Sequence, residues 1–297
     1  VYNVTWAQYS NNTIWHMRHP WMDINGWAVG YRYSPYNFTF LSDHVRATGL
    51  PVRLNCTVYA YELFLLDSST PGNRLASSAG YLEIEATMSA TNATLGTVHI
   101  ARPRTTDSHG KVVLRYAALC VDDEEGFRYP GVPSMPANLT VYWKSTILGV
   151  QYLILNTTLS YDTVYGRWHP GNVAPYGNTS GIWLHCYANY TYIQVTDKSD
   201  PTYPQPLFEN TKVIITFPGA SPKEVGVNNT GFVDLSFVNY TLPLRDGMTA
   251  LSNYHIKVEY LGVEVLDTDF DPSGFSRYKV GTTLYPFAFK RFLCNVY

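Results

Sequence analysis

Apolar and polar residues alternate along many short stretches of this chain, and a period of two is the spacing of β-strands. In the segments 111–116 and 138–143, valine, leucine and aromatic residues occupy every second position. Such residues lie on one face of a strand, so each segment predicts a strand with one buried side. The segment 81–87 alternates in the same way and predicts an added strand. The pattern as a whole predicts an all-β fold.

The composition agrees with this prediction. Aromatic residues make up 15% of the chain, and charged residues also make up only 15%, against about 25% in an average globular protein. Aromatic and β-branched side chains fit the half-buried surface of a sheet, whereas long surface helices need more charge. The length of 297 residues is enough for two domains that each bury a core.

Three short blocks of the first half recur in the same order in the second half. In one of them, Asp107 and Asn228 each precede a glycine by three positions, which predicts a tight turn that leads into a strand. Another block is followed in both halves by Gly-Val, where the next strand begins. The three aligned pairs are 51–58 with 206–213, 107–116 with 228–237, and 138–143 with 253–258.

This order of elements resembles the carboxypeptidase-regulatory-like or Cna-B-type β-sandwich, which is related in shape to transthyretin. The resemblance covers about 43–155 and 192–267. It implies two tandem Greek-key β-sandwich domains, at 42–160 and 161–297, with an insertion of about thirty residues in the first. Strand-like alternation in 1–41, 161–183 and 270–297 predicts extra strands at and between the ends of the repeat.

The resemblance also has implications for function. Tandem modules of this type are similar to those of bacterial and archaeal surface proteins, where they act as stalks, fibre subunits and layer components. A composition rich in Tyr and Thr and poor in Lys resembles that of crenarchaeal surface proteins. The resemblance therefore implies a prokaryotic, archaeal surface or filament protein whose partners are copies of itself.

Acceptor triplets for N-glycosylation, Asn-X-Ser/Thr, are unusually frequent. They involve eleven of the nineteen asparagines, where chance would give about three. The excess predicts an exported, extracellular glycoprotein with covalent N-glycans, although Asn and Thr are also common in the turns of β proteins. The acceptors are Asn3, Asn11, Asn37, Asn55, Asn92, Asn138, Asn156, Asn178, Asn189, Asn228 and Asn239.

Four cysteines fall two in each half, without the C-x-x-C spacing of a zinc or redox site. An even number in an exported chain favours disulfides. Of the three possible connectivities, we favour Cys56 with Cys120 and Cys186 with Cys294, because each bond then closes within one domain. Four buried free thiols are the alternative.

Alternate carboxylates at Asp267, Asp269 and Asp271 are similar to the start of a calcium loop, because hard cations prefer oxygen ligands. Pro272 and Tyr278 stand where an EF-hand needs Gly and Glu, so a solvated turn is the favoured interpretation and calcium the candidate cofactor. The acidic run 122–125 allows the same two interpretations. The histidines, including the pair His16 and His19, lack the partners of a zinc site.

The sequence argues against several functions. Lys and Arg are scattered and the net charge is −2, so no basic surface for nucleic acid is predicted. The longest apolar stretches, 61–66 and 147–155, are too short to span a bilayer. No nucleophile elbow, phosphate loop or zinc-protease motif occurs, so we do not predict an enzyme; a hydrolase with a spatially assembled site is the third alternative.

We therefore predict a structural subunit of an extracellular filament, pilus-like thread or surface layer, assembled by β-strand pairing between subunits. We hypothesise that 1–10 is a donor strand that enters the next subunit, the alternative being a strand that completes its own domain. The competing function is a monomeric adhesin or ligand-binding module. For Trp15, Trp21 and Trp27, core packing is favoured over a sugar-stacking or subunit-binding role.

Overall fold

The computed structural model describes residues 58–92, 96–117, 120–122, 128–130, 136–162, 167–170, 182–198, 205–207, 209–252, 254–274 and 277–282. These ranges contain strands, turns and two short 3-10 turns, Ser236–Val238 and Pro272–Gly274, and no α-helix occurs within them. The predicted all-β fold is confirmed.

Nine strands come from the first part of the described chain. They are β1 (Val58–Leu66), β2 (Leu82–Asn92), β3 (Gly96–Thr105), β4 (Lys111–Ala117), β5 (Cys120–Asp122), β6 (Arg128–Pro130), β7 (Ala137–Ser145), β8 (Val150–Asp162) and β9 (Arg167–Pro170). The strands that follow are β10 (Ile182–His185), β11 (Ala188–Tyr190), β12 (Tyr192–Asp197), β13 (Gln205–Pro206), β14 (Thr211–Thr216), β15 (Lys223–Val225), β16 (Thr241–Pro243), β17 (Arg245–Asp246), β18 (Thr249–Ala250), β19 (Tyr254–Tyr260), β20 (Val263–Phe270) and β21 (Arg277–Thr282).

Two sheets form the first part of the fold. One has seven strands in the order β6-β5-β3-β2-β7-β8-β9, and the other has three in the order β10-β1-β4. Alternate residues of β7 are buried along its whole length, as its sequence predicts. The buried residues of both sheets, such as Leu63 on β1 and Ile84 on β2, belong to one apolar cluster, which is a sandwich-type arrangement.

The same pairing pattern occurs a second time. A four-stranded sheet has the order β15-β14-β19-β20, which corresponds to β3-β2-β7-β8, and a three-stranded sheet has the order β13-β12-β21. In the latter, β12 pairs in parallel with β21, as β1 pairs in parallel with β10. We call the strands β1–β10 the first copy and the strands β12–β21 the second copy.

The predicted turn has the same geometry in both copies. The Gly110 N–H donates to the Asp107 carbonyl at 3.0 Å, and the Gly231 N–H donates to the Asn228 carbonyl at 2.9 Å. One side-chain oxygen of Asp107 and one of Asn228 each accept backbone N–H bonds from two and four residues further along. Both glycines have positive φ, +70° and +79°, which explains why the turn requires glycine.

Each turn is fixed to the strand that faces it. The Gly110 carbonyl accepts from the Leu65 N–H at 2.9 Å, and the Gly231 carbonyl accepts from the Val195 N–H at 2.8 Å. A Cβ atom on Gly231 would lie 2.6 Å from the Val195 carbonyl oxygen. A Cβ atom on Gly110 would lie 2.9 Å from the Arg74 Cβ and 3.0 Å from the Leu75 nitrogen. Both turns therefore need glycine for their backbone conformation and because another segment lies too close for a Cβ atom.

Two of the three aligned blocks are confirmed. The turn block is described above, and in the third block Trp143 and Val258 lie opposite Ile84 and Val213 in equivalent pairs of strands. Of the first block, 51–57 lie outside the described residues. The alignment is wrong where it can be checked, because Val58 lies on β1, the counterpart of β12, whereas Val213 lies on β14, the counterpart of β2. Both segments are short apolar runs after a proline, and such runs do not distinguish one strand from another.

The segment 81–87 is a strand, as predicted, but not an added one. It forms the start of β2, whose counterpart β14 is present in the second copy. The two copies differ in strand length. Strand β2 has eleven residues and its counterpart β14 has six, and β3 has ten residues and its counterpart β15 has three. The first copy also has β5, β6 and β9, which continue its large sheet at both edges.

The two copies share one core. The Trp143 indole nitrogen donates to the Thr241 carbonyl at 3.1 Å, and its ring stacks on Phe217 with 5.9 Å between centroids. The Tyr152 hydroxyl donates to the Pro218 carbonyl, and burial together with the Asp246 charge raises the pKa of Tyr152, so the donor proton is retained. The buried apolar residues of both copies form one continuous cluster. The division into two Greek-key domains near residue 160 stays a prediction.

Substitution of glycine tests the repeated turn. Gly231→Ala should lower the free energy of unfolding by about 3 kcal/mol or more, because a strained φ adds to the clash with the Val195 carbonyl. Gly262→Ala is the matched control, since Gly262 has φ +77° and no atom of the described residues lies within 4 Å of the added Cβ. This change should cost about 1–2 kcal/mol. Urea unfolding measures both, and equal losses would contradict the close approach.

Candidate functional site

Many residues singled out in the sequence lie outside the described residues, or have only their backbone described. Asn92 and Cys120 belong to strands β2 and β5, and His169 to β9, but their side chains are not described. Those wholly outside are Asn3, Asn11, Asn37, Asn55, Asn178, Cys56, Cys294, residues 123–125, His16, His19, Trp15, Trp21 and Trp27. Predictions that rest on them stay predictions.

Cys186 lies directly after β10 and is buried. It has no disulfide partner within the described ranges, and Cys294, its predicted partner, lies beyond them. Burial raises the pKa of the thiol, so the reactive thiolate is disfavoured at neutral pH. Neither predicted disulfide is tested by these contacts.

The acidic residues of β20 contact basic side chains of β19. His255 has one ring nitrogen 2.8 Å from Asp267 and the other 2.7 Å from Asp269. Both carboxylates thus lie within hydrogen-bonding distance of the same imidazole ring. Lys257 approaches Glu264 and Asp267, and hydrogen bonds to these two carboxylates raise the pKa of Lys257.

The three carboxylates of the candidate calcium site have different partners. Asp267 and Asp269 face His255, whereas Asp271 accepts the Ser273 N–H at 2.8 Å at the start of a 3-10 turn. No group of three metal-binding side chains occurs in the part of the chain that the structure describes. These contacts place Asp267 and Asp269 in a cross-strand network with His255 and Lys257, of which Asp271 is not a member. Calcium stays a prediction.

The five acceptor asparagines whose side chains are described differ in exposure. Asn156 and Asn228 are exposed, Asn138 and Asn239 are half-buried, and Asn189 is buried with 7% of its surface accessible. The acceptor triplet has the same form at every position and does not predict this difference in exposure. The exposure separates the asparagines on the surface from those that are part of the packed structure.

A buried carboxylate, which the sequence did not single out, connects the first copy to β11, which pairs with β16 of the second copy. Asp67 is fully buried, and one of its oxygens accepts from the Ser69 N–H, the Ser69 hydroxyl and the Asn73 N–H. The other oxygen accepts from the Asn73 side-chain amide and, at 3.1 Å, from the Tyr190 N–H of β11. Five donors replace the water that the buried charge loses. The turn-rich composition of 67–73 was the signal present in the sequence.

An aromatic stack lies on the outer side of the three-stranded sheet of the first copy. Trp183 is 51% exposed and stacks on Phe64, with 4.6 Å between centroids and 18° between planes. The Arg74 guanidinium lies over both rings, at 5.2 and 5.4 Å. Exposed rings of this kind can stack against a planar or sugar ligand.

Comparison with known proteins adds little to this geometry. No protein-family model matches the chain, and no curated protein matches its sequence. The Bacillus anthracis TIE protein has a similar structure at 14% identity and a TM-score of 0.25, over 76% of this chain and 34% of that one. The chain thus spans about a third of the length of that protein. A TM-score this low carries no argument about function.

No helix among the described residues has the length and apolar character needed to cross a membrane.

Removal of the Asp67 carboxylate tests its role. Asp67→Ala should lower the free energy of unfolding by about 3–5 kcal/mol, because it leaves five donors without their acceptor. Asp107→Ala is the matched control: the exposed Asp107 accepts two backbone bonds, and its loss should cost about 1 kcal/mol. Denaturant unfolding gives both values, and similar losses would show that burial of Asp67 contributes nothing.

Proposed function

We propose that this chain is a structural subunit of an extracellular assembly, a filament, pilus-like thread or surface layer of a prokaryotic, archaeal cell, built from copies of itself by β-strand pairing. Each copy is proposed to be a carboxypeptidase-regulatory-like or Cna-B-type sandwich. The repeated Asx-x-x-Gly turn and the repeated strand order support this assignment. The excess of acceptor triplets supports export and glycosylation.

The main supporting observation is the parallel pairing of the first and last strands of each copy. β1 pairs with β10 from Leu63–Ile182 to Leu66–His185, and β12 pairs with β21 from Tyr192–Arg277 to Asp197–Thr282. Tension that reaches a copy through its two ends pulls these strands in opposite directions along their length. All the hydrogen bonds between them are then loaded together rather than one after another, which resists extension.

Tension can also pass from one copy to the other through backbone bonds. The Tyr187 N–H donates to the Ile154 carbonyl at 2.8 Å, and the Gly247 N–H donates to the Leu153 carbonyl at 2.8 Å. The Leu153 N–H donates to the Asp246 carboxylate at 3.0 Å. Strand β8 of the first copy is therefore bonded to two segments beyond it, at residue 187 and at residues 246–247, which suits a stiff element of an assembly.

One observation favours a second function. The exposed stack of Trp183 on Phe64, with Arg74 over both rings, offers a flat aromatic surface to a ligand. A monomeric adhesin or ligand-binding module would use such a surface to bind a sugar. This function needs no self-assembly, so the state of the native protein distinguishes the two proposals.

The assembly proposal is tested by negative-stain electron microscopy of the protein released from its native surface without denaturant. We expect regular filaments or sheets, because strand pairing between subunits is directional. A variant that lacks residues 1–10 should assemble poorly if these residues form a donor strand. Undiminished polymerisation of that variant would remove the donor-strand hypothesis, and dispersed monomers of the intact protein would favour the binding module.

The tension proposal is tested by pulling single molecules under reducing conditions, so that no disulfide bypasses the strands. In the first geometry, handles at the two chain ends load β1 and β10 along their length. In the second, handles at residues 68 and 187 lie just beyond the Leu66–His185 pair, so they separate the two strands one pair at a time from that end. We expect the first geometry to need the higher unfolding force, because forced unfolding follows the barrier for the bonds loaded. Equal forces would contradict the proposal.

A further inference from the structure

The described acceptor asparagines differ in which side-chain atom the fold uses. N-glycosylation joins the anomeric carbon of a sugar to the asparagine Nδ2, with loss of one proton from that nitrogen. The sugar comes from an activated glycosyl phosphate donor, whose anomeric C–O bond breaks and whose phosphate leaves. An asparagine can therefore carry a glycan in the folded protein only where Nδ2 reaches solvent and the fold does not need it.

Asn189 and Asn239 use this nitrogen within the structure. The buried Asn189 Nδ2 donates to the Pro272 carbonyl at 2.6 Å, which connects β11 to the turn before β21. The half-buried Asn239 Nδ2 donates to the Ala76 carbonyl at 3.1 Å and so connects the second copy to the first. A sugar on Asn189 would have no space, and a sugar on Asn239 would displace a contact between the copies.

Within the described residues, the Asn228 side chain forms hydrogen bonds through its oxygen alone. Its Oδ1 accepts from the Thr230 N–H, the Thr230 hydroxyl and the Phe232 N–H, at 3.0, 2.7 and 3.0 Å. Asp107 holds the equivalent turn of the first copy with a carboxylate oxygen, so this turn does not need an amide nitrogen. The exposed Asn228 Nδ2 is thus available for a sugar without a change in the turn.

Asn156 lies on the outer face of the large sheet. It is exposed on β8, opposite Thr140 of β7, and no hydrogen bond of its side chain occurs within the described part of the chain. Asn138 of β7 lies opposite Thr158, diagonal to Asn156 at about 7–8 Å, so two acceptor triplets share one patch. The next strand continues the same patch with Ser89, opposite Asn138. The patch is polar and uncharged.

We propose that Asn156 and Asn228 carry N-glycans in the folded protein, and that Asn189 and Asn239 are structural asparagines that carry none. The inference rests on the proposed export of the chain. It places a glycan on the outer face of β7 and β8, so contacts between subunits of an assembly lie on other faces of the protein.

The test is glycopeptide mapping of the chain secreted by a eukaryotic host that glycosylates Asn-X-Ser/Thr, after isolation of the folded fraction by size exclusion. We expect glycans on Asn156 and Asn228 and unmodified Asn189 and Asn239. Thr158→Ala, which removes the Asn156 triplet at an exposed position, should reduce the mass by one glycan. A glycan on Asn189 or Asn239 of the folded protein, or none on Asn156 or Asn228, would overturn the inference.

Two matched substitutions separate the roles of the amides. Asn228→Asp keeps the turn oxygen, as in Asp107, and should lose one glycan with an unchanged Tm of the deglycosylated protein. Asn189→Asp should leave the glycan mass unchanged and lower Tm by about 5 °C or more, because it removes the donor to Pro272 and buries a charge. The opposite pattern would overturn the inference. Glycosylated monomers that never assemble would instead contradict the proposed function and leave the glycan positions intact.

Discussion

The close approach of a glycine turn to the strand that faces it is the constraint on which each copy depends. At Gly110 and Gly231, a carbonyl accepts from the N–H of a strand in the three-stranded sheet. A Cβ atom would lie 2.6 Å from the Val195 carbonyl oxygen at Gly231 and 2.9 Å from the Arg74 Cβ at Gly110, so neither position has space for one. The preceding Asp107 or Asn228 closes the turn with one side-chain oxygen. The two bonds reach Leu65 and Val195, whose side chains are buried in the shared apolar core.

The polar groups of the interior hold parts of the protein together. Asp67 closes its own loop and also accepts a backbone N–H from β11, so one carboxylate orders a turn and connects the first copy to the strand that pairs with β16. Trp143 combines a buried ring with a hydrogen bond to the Thr241 carbonyl. Such groups are costly to bury and are retained where every donor and acceptor is matched. The junction between the copies therefore has specific geometry as well as apolar area.

Periodicity and turn chemistry predicted the strands and the repeated turn, because both are local signals. They did not identify the equivalent of β1, since short apolar runs after a proline look alike, and the pairing with β10 is decided by tertiary contacts. The acceptor triplets of Asn189 and Asn156 have the same form, yet one nitrogen is buried against Pro272 and the other is exposed. Asp67 was missed because four of its donors form an ordinary-looking turn with Ser69 and Asn73, while its burial and its bond to the Tyr190 N–H depend on tertiary contacts.

The parallel pairing of first and last strands has a consequence for how the chain matures. Leu63 pairs with Ile182, more than a hundred residues later in the chain, so the small sheet of the first copy cannot be completed until that residue has been synthesised. As the chain leaves the ribosome or a secretion channel, β1 and β4 have an unpaired edge for the whole interval, and long-range pairing of this kind is slow and prone to aggregation. A chaperone that covers this edge would therefore be needed most during that interval, and least once residue 185 has emerged.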